Sequence, residues 1–255
     1  MMTKTSTLHE DLSKVPALTL LFWILKIAAT TLGETAGDAV SMSMNLGYFV
    51  GTAIFSLVFL IAVTLQIKAK KFHPVIYWIT IIATTTVGTT LADFADRSLG
   101  IGYLGGTLLL LGLLMGSLLV WYQSLGSISV ESIKSPKVEL FYWITILFSQ
   151  TLGTALGDWT ADSAGLGYLG SALIFGSLLT LGAALYFWTQ ISRTFLFWAA
   201  FILTRPLGAV VGDFLDKPHD HAGLALSRYT ASAVLIIFIA LCIFIFPQAA
   251  AKKKH

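Results

Sequence analysis

Residues 23–38 read WILKIAATTLGETAGD, and this stretch decides the fold. Its pattern, a tryptophan followed fifteen positions later by an aspartate within apolar sequence, occurs three more times. The other copies are WITIIATTTVGTTLAD at 78–93, WITILFSQTLGTALGD at 143–158 and WAAFILTRPLGAVVGD at 198–213. Self-similarity at a regular spacing is typical of a structural unit that packs against copies of itself. The chain is therefore predicted to consist of four tandem repeats.

The composition around these copies is that of a membrane protein. Of the 255 residues, 56% are hydrophobic and only 11% are charged. An apolar run of about 20 residues is long enough to cross a bilayer as an α-helix. The alternating pattern of a spanning β-barrel is absent, so the fold class is predicted to be all-α. Eight runs have the required length, near 17–37, 46–66, 73–93, 101–122, 139–158, 166–188, 194–213 and 226–247.

These eight runs predict a polytopic protein in which each repeat is a helical hairpin. The whole chain, 1–255, is expected to be a single membrane domain. Because every repeat contains two spans, all four repeats should point the same way, as in transporters built from parallel repeats. Successive tryptophans are 55, 65 and 55 positions apart, which also suggests an older duplication of a two-repeat block. The repeats are predicted at 17–66, 73–122, 139–188 and 194–247.

Basic residues indicate the orientation. If there are eight spans, the basic residues of the two termini and of the connections between repeats all lie on one side of the membrane. They are Lys4, Lys14, Lys68, Lys70, Lys71, Lys134, Lys137, Arg193, Lys252, Lys253 and Lys254. Cytoplasmic loops of membrane proteins carry an excess of lysine and arginine. Both termini are therefore predicted to be cytoplasmic, in a multi-pass protein of the cell inner membrane. The first span is expected to serve as its own targeting signal.

A polar stripe runs along each odd-numbered span towards its aspartate. Positions seven, eleven and fifteen residues after the tryptophan share one helical face. Lipid cannot satisfy polar side chains, so the four stripes should face one another. The stripe positions are Thr30, Thr85, Gln150 and Arg205; then Glu34, Thr89, Thr154 and Ala209; then Asp38, Asp93, Asp158 and Asp213, with Lys26 and Thr31 extending the first stripe.

Ionisable side chains inside membrane spans are costly and therefore indicate function. Glu34 and the four aspartates are predicted to bind an ion or couple its movement to protons. Carboxylate and hydroxyl oxygens suit a hard divalent cation such as Mn²⁺. The predicted metal ligands are Glu34, Asp38, Asp158 and Asp213, and Arg205 is expected to act as a counter-ion. The main hypothesis is a transporter that takes a divalent cation as its substrate.

Two other functions stay open on the sequence alone. The aspartates could cap the helices that follow, in a membrane scaffold or sensor that transports nothing. A small organic solute transporter would instead give Lys26 and Arg205 an anionic group to hold. No catalytic motif and no other cofactor motif is present, so the protein is not expected to be an enzyme. The expected partners are the lipid bilayer and an inorganic cation, with no nucleic acid and no indication of oligomeric state.

The repeated motif T-x-G-x-x-x-x-D, with its tryptophan eight residues before the threonine, resembles that of a bacterial family of integral membrane proteins. Members of that family contain four tandem repeats of unknown function, each with two transmembrane helices. The resemblance covers the chain from Trp23 to the end of the eighth span, except that Arg205 and Pro206 replace two threonines. It implies the architecture and no activity. Residues 34–38 are also similar to the E-x-G-D motif of cation/proton exchangers.

Overall fold

The computed structural model describes residues 13–130 and 133–251, apart from the side chain of His221. Within these residues the chain is helical and contains no β-strand, which confirms the all-α prediction. Lys4, Lys252, Lys253 and Lys254, which were used to predict the orientation, lie outside the described residues. The eight α-helices are α1 (Leu20–Asp38), α2 (Gly47–Lys68), α3 (Pro74–Asp93), α4 (Gly102–Leu125), α5 (Pro136–Asp158), α6 (Gly167–Trp188), α7 (Arg193–Asp216) and α8 (Arg228–Ile245).

Seven of these helices, α2 to α8, are long and apolar enough to cross a membrane. Helix α1 is the exception, because Lys26 and Glu34 lower the hydropathy of its 19 residues. The odd-numbered helices lie inside the bundle, with 61–72% of the most apolar windows of α3, α5 and α7 buried. For the even-numbered helices the corresponding range is 17–22%, and their outer faces carry most of the exposed leucine, isoleucine and phenylalanine. The even helices therefore form an apolar outer layer around the odd ones.

The two helices of one repeat pack mainly on other helices and little on each other, which corrects the expected hairpin. Helix α2 packs on α3, α4 on α5, α6 on α7, and α8 on α1. Each even helix thus covers the odd helix of the next repeat, and the last repeat closes onto the first. The odd helices contact one another in the cyclic order α1, α3, α5, α7 and back to α1. The repeats are consequently interlocked in a closed ring.

Glycines allow this inner ring to close. Each odd helix has a glycine ten residues after its tryptophan. This glycine faces the next odd helix, at the residue seven positions after the tryptophan of that helix. A Cβ atom added at Gly33, Gly153 or Gly208 would overlap that side chain, and one at Gly88 would come within 3.0 Å of Gln150, so glycine suits this close approach. The helices run parallel, since Gly33 and Gly37 of α1 meet successive turns of α3. The contacts are Gly33 with Thr85, Gly88 with Gln150, Gly153 with Arg205, and Gly208 with Thr30.

The aspartates do not cap the helices that follow them. In the first three repeats Asp38, Asp93 and Asp158 end an α-helix that continues as a five-residue π-helical turn, and none makes a side-chain capping bond. The residues that precede α2, α4 and α6 are Leu46, Ile101 and Leu166. Helix capping therefore does not explain why these aspartates are present. The scaffold hypothesis, which explained them by capping, loses this support.

The end of the bundle opposite the aspartates is closed by both terminal segments. The main chain of Ser13–Ala17 pairs with that of Ala249–Ala251, so the two segments lie at the same end. Lys14 forms a buried ion pair with Glu139 of α5 at 2.5 Å. Above this lid lies a layer of aromatic rings in mutual contact, which includes Phe22, Tyr77, Trp78, Tyr142, Trp143 and Trp198.

Candidate ion-binding site

The predicted site residues lie between the middle of the ring of odd helices and its aspartate end, and all of them are buried. The four aspartates are 1–4% exposed, Glu34 is 2% exposed, and Arg205 and Lys26 are fully buried. The parallel ring places the same repeat position of each odd helix at one level. The structure therefore brings together aspartates that are 55 or more positions apart in the sequence.

Lys217 joins the aspartates of the first and fourth repeats. Its Nζ lies 2.7 Å from Oδ2 of Asp38 and 2.9 Å from Oδ1 of Asp213. Burial lowers the pKa of Lys217, but Asp213, Asp38 and Asp216 raise it more, so it lies above its ordinary value. The ammonium group is therefore charged at neutral pH. Arg228 adds a second cation, with Nε 2.8 Å from Asp216 and Nη2 3.6 Å from Asp38.

Arg97 joins the other two aspartates in the same way. Its Nε lies 3.1 Å from Oδ1 of Asp93, and its Nη2 lies 3.2 Å from Oδ2 of Asp158. The guanidinium group also donates to the hydroxyl oxygens of Tyr48 and Tyr103. The four aspartates are thus organised as two pairs, each bridged by a cation. The pairs are related by the duplication of two repeats, because Arg97 and Lys217 are 120 positions apart.

One turn deeper, Arg205 fills the centre of the ring. Its Nη2 lies 3.0 Å from Oε2 of Glu34 and 2.6 Å from Oγ1 of Thr89, and it also contacts Oγ1 of Thr154. These partners occupy the same position in the first three repeats, and the fourth repeat has Ala209 there. Ala209 leaves room, and Arg205 extends from the preceding turn of the same helix into the ring. The guanidinium group is therefore a buried counter-ion of Glu34.

Three of the four predicted metal ligands converge on one point. One carboxylate oxygen from each of Glu34, Asp38 and Asp213 can be chosen so that all three lie within 4.8 Å of one another. Asp158 is not in this group, because its carboxylate is directed to Arg97 on the other side of the ring. Among the described residues this is the only cluster of three or more acidic, histidine or cysteine side chains with that spacing.

A family model for a repeat matches the chain four times, at residues 21–72, 76–126, 141–192 and 196–247. The family is described as Repeat of Unknown Function (DUF347). The chain belongs to this family. The four DUF347 repeats confirm the tandem repeats expected from the tryptophan and aspartate pattern. No curated protein and no solved structure matches the chain.

The remaining residues of the polar stripes belong to the DUF347 repeats and lie in the middle of the bundle. Thr30 Oγ1 donates to the carbonyl oxygens of Ile27 and Thr204, and Thr31 Oγ1 donates to Ile27. Thr85 Oγ1, both amide atoms of Gln150, and Nζ of Lys26 are buried without a hydrogen-bond partner. The hydroxyl groups of Thr30, Thr31, Thr89 and Thr154 are thus hydrogen-bonded, whereas the polar atoms of Thr85, Gln150 and Lys26 are not.

Arg97, Lys217 and Arg228 were missed as site residues by reasoning from the sequence. Arg97 and Lys217 each follow an aspartate by four residues, in the second and fourth DUF347 repeats. Side chains four residues apart lie on one face of a helix, so this spacing was a usable signal for an ion pair. Arg228 offered no such signal, because its partners Asp38 and Asp216 lie on other helices.

Proposed function

We propose that this protein is a membrane transporter for a divalent cation such as Mn²⁺, with Glu34, Asp38 and Asp213 as ligands. The convergence of these three buried carboxylates carries the proposal. Hard divalent cations bind oxygen ligands at about 2.0–2.6 Å, so ligands on opposite sides of the ion lie about 4–5 Å apart. The separation of up to 4.8 Å among the three oxygens matches that requirement. Three oxygens leave further coordination positions for water, which Mg²⁺ and Mn²⁺ retain.

The ammonium group of Lys217 occupies the place of a competing cation. It contacts two of the three proposed ligands, and its side chain is 14% exposed at the outer end of the bundle. A metal ion that arrives from that end would displace it, because both cannot neutralise Asp38 and Asp213 at close range. On ion release Lys217 would return, so the carboxylates would never be left buried without a counter-ion. This exchange gives a physical reason for a lysine in a cation site.

The sum of the formal charges at the aspartate end of the bundle also favours binding of a cation. At the outer end, the five carboxylates of Asp38, Asp93, Asp158, Asp213 and Asp216 face the three cationic groups of Arg97, Lys217 and Arg228. With all groups ionised, two negative charges remain. The excess would draw a cation to this end, and it also allows protons to take part, since a carboxylate freed of its cation can be protonated. We therefore include proton coupling in the proposal.

The proposed setting is the cell inner membrane, with eight spans and both termini cytoplasmic. Helix α1 is included as a span because it runs parallel to α3 and α7 and lies between them in the ring. The pairing of the two terminal segments at one end of the bundle supports an even number of crossings. Lysines at that end, which include Lys70 and Lys71, support its assignment to the cytoplasm.

A scaffold or sensor that transports nothing is the second candidate. One observation favours it: Glu34, Asp216 and the four repeat aspartates all have a basic partner within the chain already. A network of this kind could serve only to lock the ring of helices. The two candidates differ in whether the carboxylates can exchange their partners for an external cation.

Thermal unfolding of the purified protein in detergent, measured over a panel of divalent cations, distinguishes them. For a transporter we expect a saturable rise in the unfolding temperature with Mn²⁺, which is lost in Asp38→Asn and Asp213→Asn. Asp162→Asn is the matched control, because Asp162 is exposed near the same end and belongs to none of the ion pairs described above. If no cation stabilises the wild-type protein, or if all three variants respond like wild type, the scaffold is the better account.

A further inference from the structure

The two ends of the bundle differ in how closely they are shut. At the aspartate end the basic residues that hold the carboxylates reach the surface, since the side chain of Arg97 is 28% exposed and that of Lys217 is 14% exposed. At the other end the aromatic layer is sealed, and Tyr77, Trp78 and Trp143 are at most 1% exposed. A cation that crosses the protein has to pass both ends, so transport requires the sealed end to open.

Two segments outside the helices cover the sealed end. They are residues 13–17 and 247–251, and together they are termed the lid. They are joined by main-chain hydrogen bonds, such as the one from the nitrogen of Ala17 to the carbonyl oxygen of Ala249 at 2.8 Å. Local opening of irregular segments costs less free energy than displacement of a packed helix. The lid is therefore the part of this end that can move while the ring of helices stays packed.

The lid is not tightly packed on the helix beneath it. A cavity of about 130 Å³ lies between the lid and the beginning of α1, and its lining includes Thr19, Phe22 and Gln248. Atoms that border an empty space lack partners on one side, so they contribute less dispersion energy than atoms in a filled core. The contact is thus looser than the close approach of the odd helices at their glycines, and less energy is lost when it opens.

A buried ion pair joins the lid to the ring of odd helices. Nζ of Lys14 lies 2.5 Å from Oε1 of Glu139 on α5, and it also donates to the carbonyl oxygen of Ile67 at 3.0 Å. Apolar residues of similar volume are often at least as stabilising at such a position, because a buried ion pair gives up its hydration. Water that enters restores this hydration when the pair separates. The ion pair therefore suits a contact that breaks and forms again.

Hydrogen bonds connect the aromatic layer to the segments that cover it. Nε1 of Trp78 donates to Oε1 of Gln248 in the lid at 2.8 Å. Nε1 of Trp198 donates at 3.0 Å to the carbonyl oxygen of Ile128, in the connection between α4 and α5, and Ser13 of the lid is hydrogen-bonded to the same connection. Movement of the lid would release these indoles, so the lid and the aromatic layer would open together.

We propose that the lid is the gate at this end of the transporter. Its two segments separate, and the pair of Lys14 and Glu139 breaks, when a cation passes between the carboxylates and this end of the bundle. The gate rests on the proposed cation transport, since a protein that moves no ion needs no exit here. The structure has the lid closed, while the aspartate end is covered only by side chains that reach the surface.

A disulfide between positions 16 and 250 tests the gate, because it would hold the lid closed. Pro16 and Ala250 are opposite each other as an antiparallel pair that is not itself hydrogen-bonded. The Cα atoms of such a pair lie about 4.5 Å apart, which a disulfide can span. The protein for this test carries Pro16→Cys, Ala250→Cys and Cys242→Ser, and each single-cysteine variant in the same Cys242→Ser protein is a control.

We expect oxidation of the double-cysteine protein to lower Mn²⁺ uptake into liposomes at least tenfold, and a phosphine reductant to restore it. The rise in unfolding temperature with Mn²⁺ should persist after oxidation, because the carboxylates lie at the other end. Equal uptake before and after oxidation would overturn the gate and leave the proposed transport intact. Loss of Mn²⁺ stabilisation on oxidation would also overturn it, since the cross-link would then act on the ion site. No uptake by the wild-type protein would remove the proposed transport and the gate with it.

Replacement of the ion pair by two methionines is a second test, which needs no disulfide. Lys14→Met combined with Glu139→Met makes the contact of the lid apolar at similar volume, so the closed lid should be at least as stable as in wild type. We expect an unfolding temperature no lower than that of wild type together with a fall in Mn²⁺ uptake of at least threefold. The Asp162→Asn variant is the control. Uptake at the wild-type rate or faster would mean that the pair only stabilises the fold, and would contradict the gate.

Discussion

The ammonium group of Lys217 lies 2.7 Å from a carboxylate oxygen of Asp38, although the two residues belong to the fourth and the first repeat. The same ammonium group lies 2.9 Å from Asp213 of its own helix. It therefore closes the ring of repeats electrostatically at the point where the ring also closes through helix packing. An ion that binds Asp38 and Asp213 has to open this link first, which connects binding to a change of structure.

Lys217→Met should strengthen the binding of a divalent cation by at least tenfold. The substitution removes the internal competitor and leaves Asp38 and Asp213 with one positive charge fewer. In the absence of metal the variant should be less stable than wild type, because breaking a buried pair costs about 3–5 kcal/mol. Isothermal titration with Mn²⁺, together with thermal unfolding in its absence, measures both effects. Unchanged Mn²⁺ affinity would show that Lys217 and the ion do not share a site.

Asp158→Asn should keep the response to divalent cations that Asp38→Asn loses. Both aspartates are buried at the same repeat position, but Asp158 is paired with Arg97 and lies outside the group of converging oxygens. Its substitution should therefore reduce stability and leave the Mn²⁺ affinity within about threefold of wild type. Equal losses of affinity in the two variants would favour a symmetric site of four aspartates. The test is a comparison of Mn²⁺ titrations for the two proteins.

Gly153→Ala should destabilise the ring, whereas Gly112→Ala should not. A Cβ at residue 153 would overlap the side chain of Arg205, while a Cβ at residue 112 of α4 would meet nothing within 4 Å. Overpacking of this kind costs about 1–3 kcal/mol. In contrast, alanine in place of glycine on an open helix surface gains up to about 1 kcal/mol. Thermal unfolding of both variants in the same detergent provides the comparison, and equal stability of the two would argue against the close approach of α5 and α7.

Glu139→Gln should loosen the end of the bundle that the terminal segments cover. The substitution leaves Lys14 without its carboxylate partner beneath the aromatic layer. The nearby Trp78 donates from Nε1 to Oε1 of Gln248, so displacement of the C-terminal segment would expose this indole. We expect stronger quenching of tryptophan fluorescence by acrylamide than in wild type or in Asp162→Asn. Quenching that does not change would mean that the ion pair does not hold this end closed.

Much of the fold could be predicted from the sequence because the same repeat occurs in it four times. The tryptophan, glycine and aspartate recur in register, and the polar positions between them identify the inner face of the odd helices. The hairpin was wrong for a physical reason: the even helices have almost uniformly apolar surfaces, so no pattern indicates which neighbour they cover. All four even helices cover the next repeat, although only the first three repeats have a π-helical turn after the aspartate.

The acidic residues of the candidate site could be predicted from the sequence, whereas its basic residues could not be identified as readily. Glu34 and the aspartates are conspicuous because carboxylates are rare in membrane spans. Lys217 and Arg97 lie just beyond the apolar runs, where basic residues are common and indicate little. Their role depends on the ring, which brings each of them to the aspartate of another repeat. That relationship is a product of tertiary packing and could not be derived from one repeat alone.

Flux of Mn²⁺ into liposomes that contain the purified protein tests the central claim most directly. The account predicts saturable uptake by wild type and a loss of at least tenfold in Glu34→Gln, which removes one ligand charge and the partner of Arg205. The Asp162→Asn variant should transport at the wild-type rate. Uptake by wild type no faster than by protein-free liposomes, or equal uptake by Glu34→Gln and wild type, would contradict a cation transporter that uses this carboxylate.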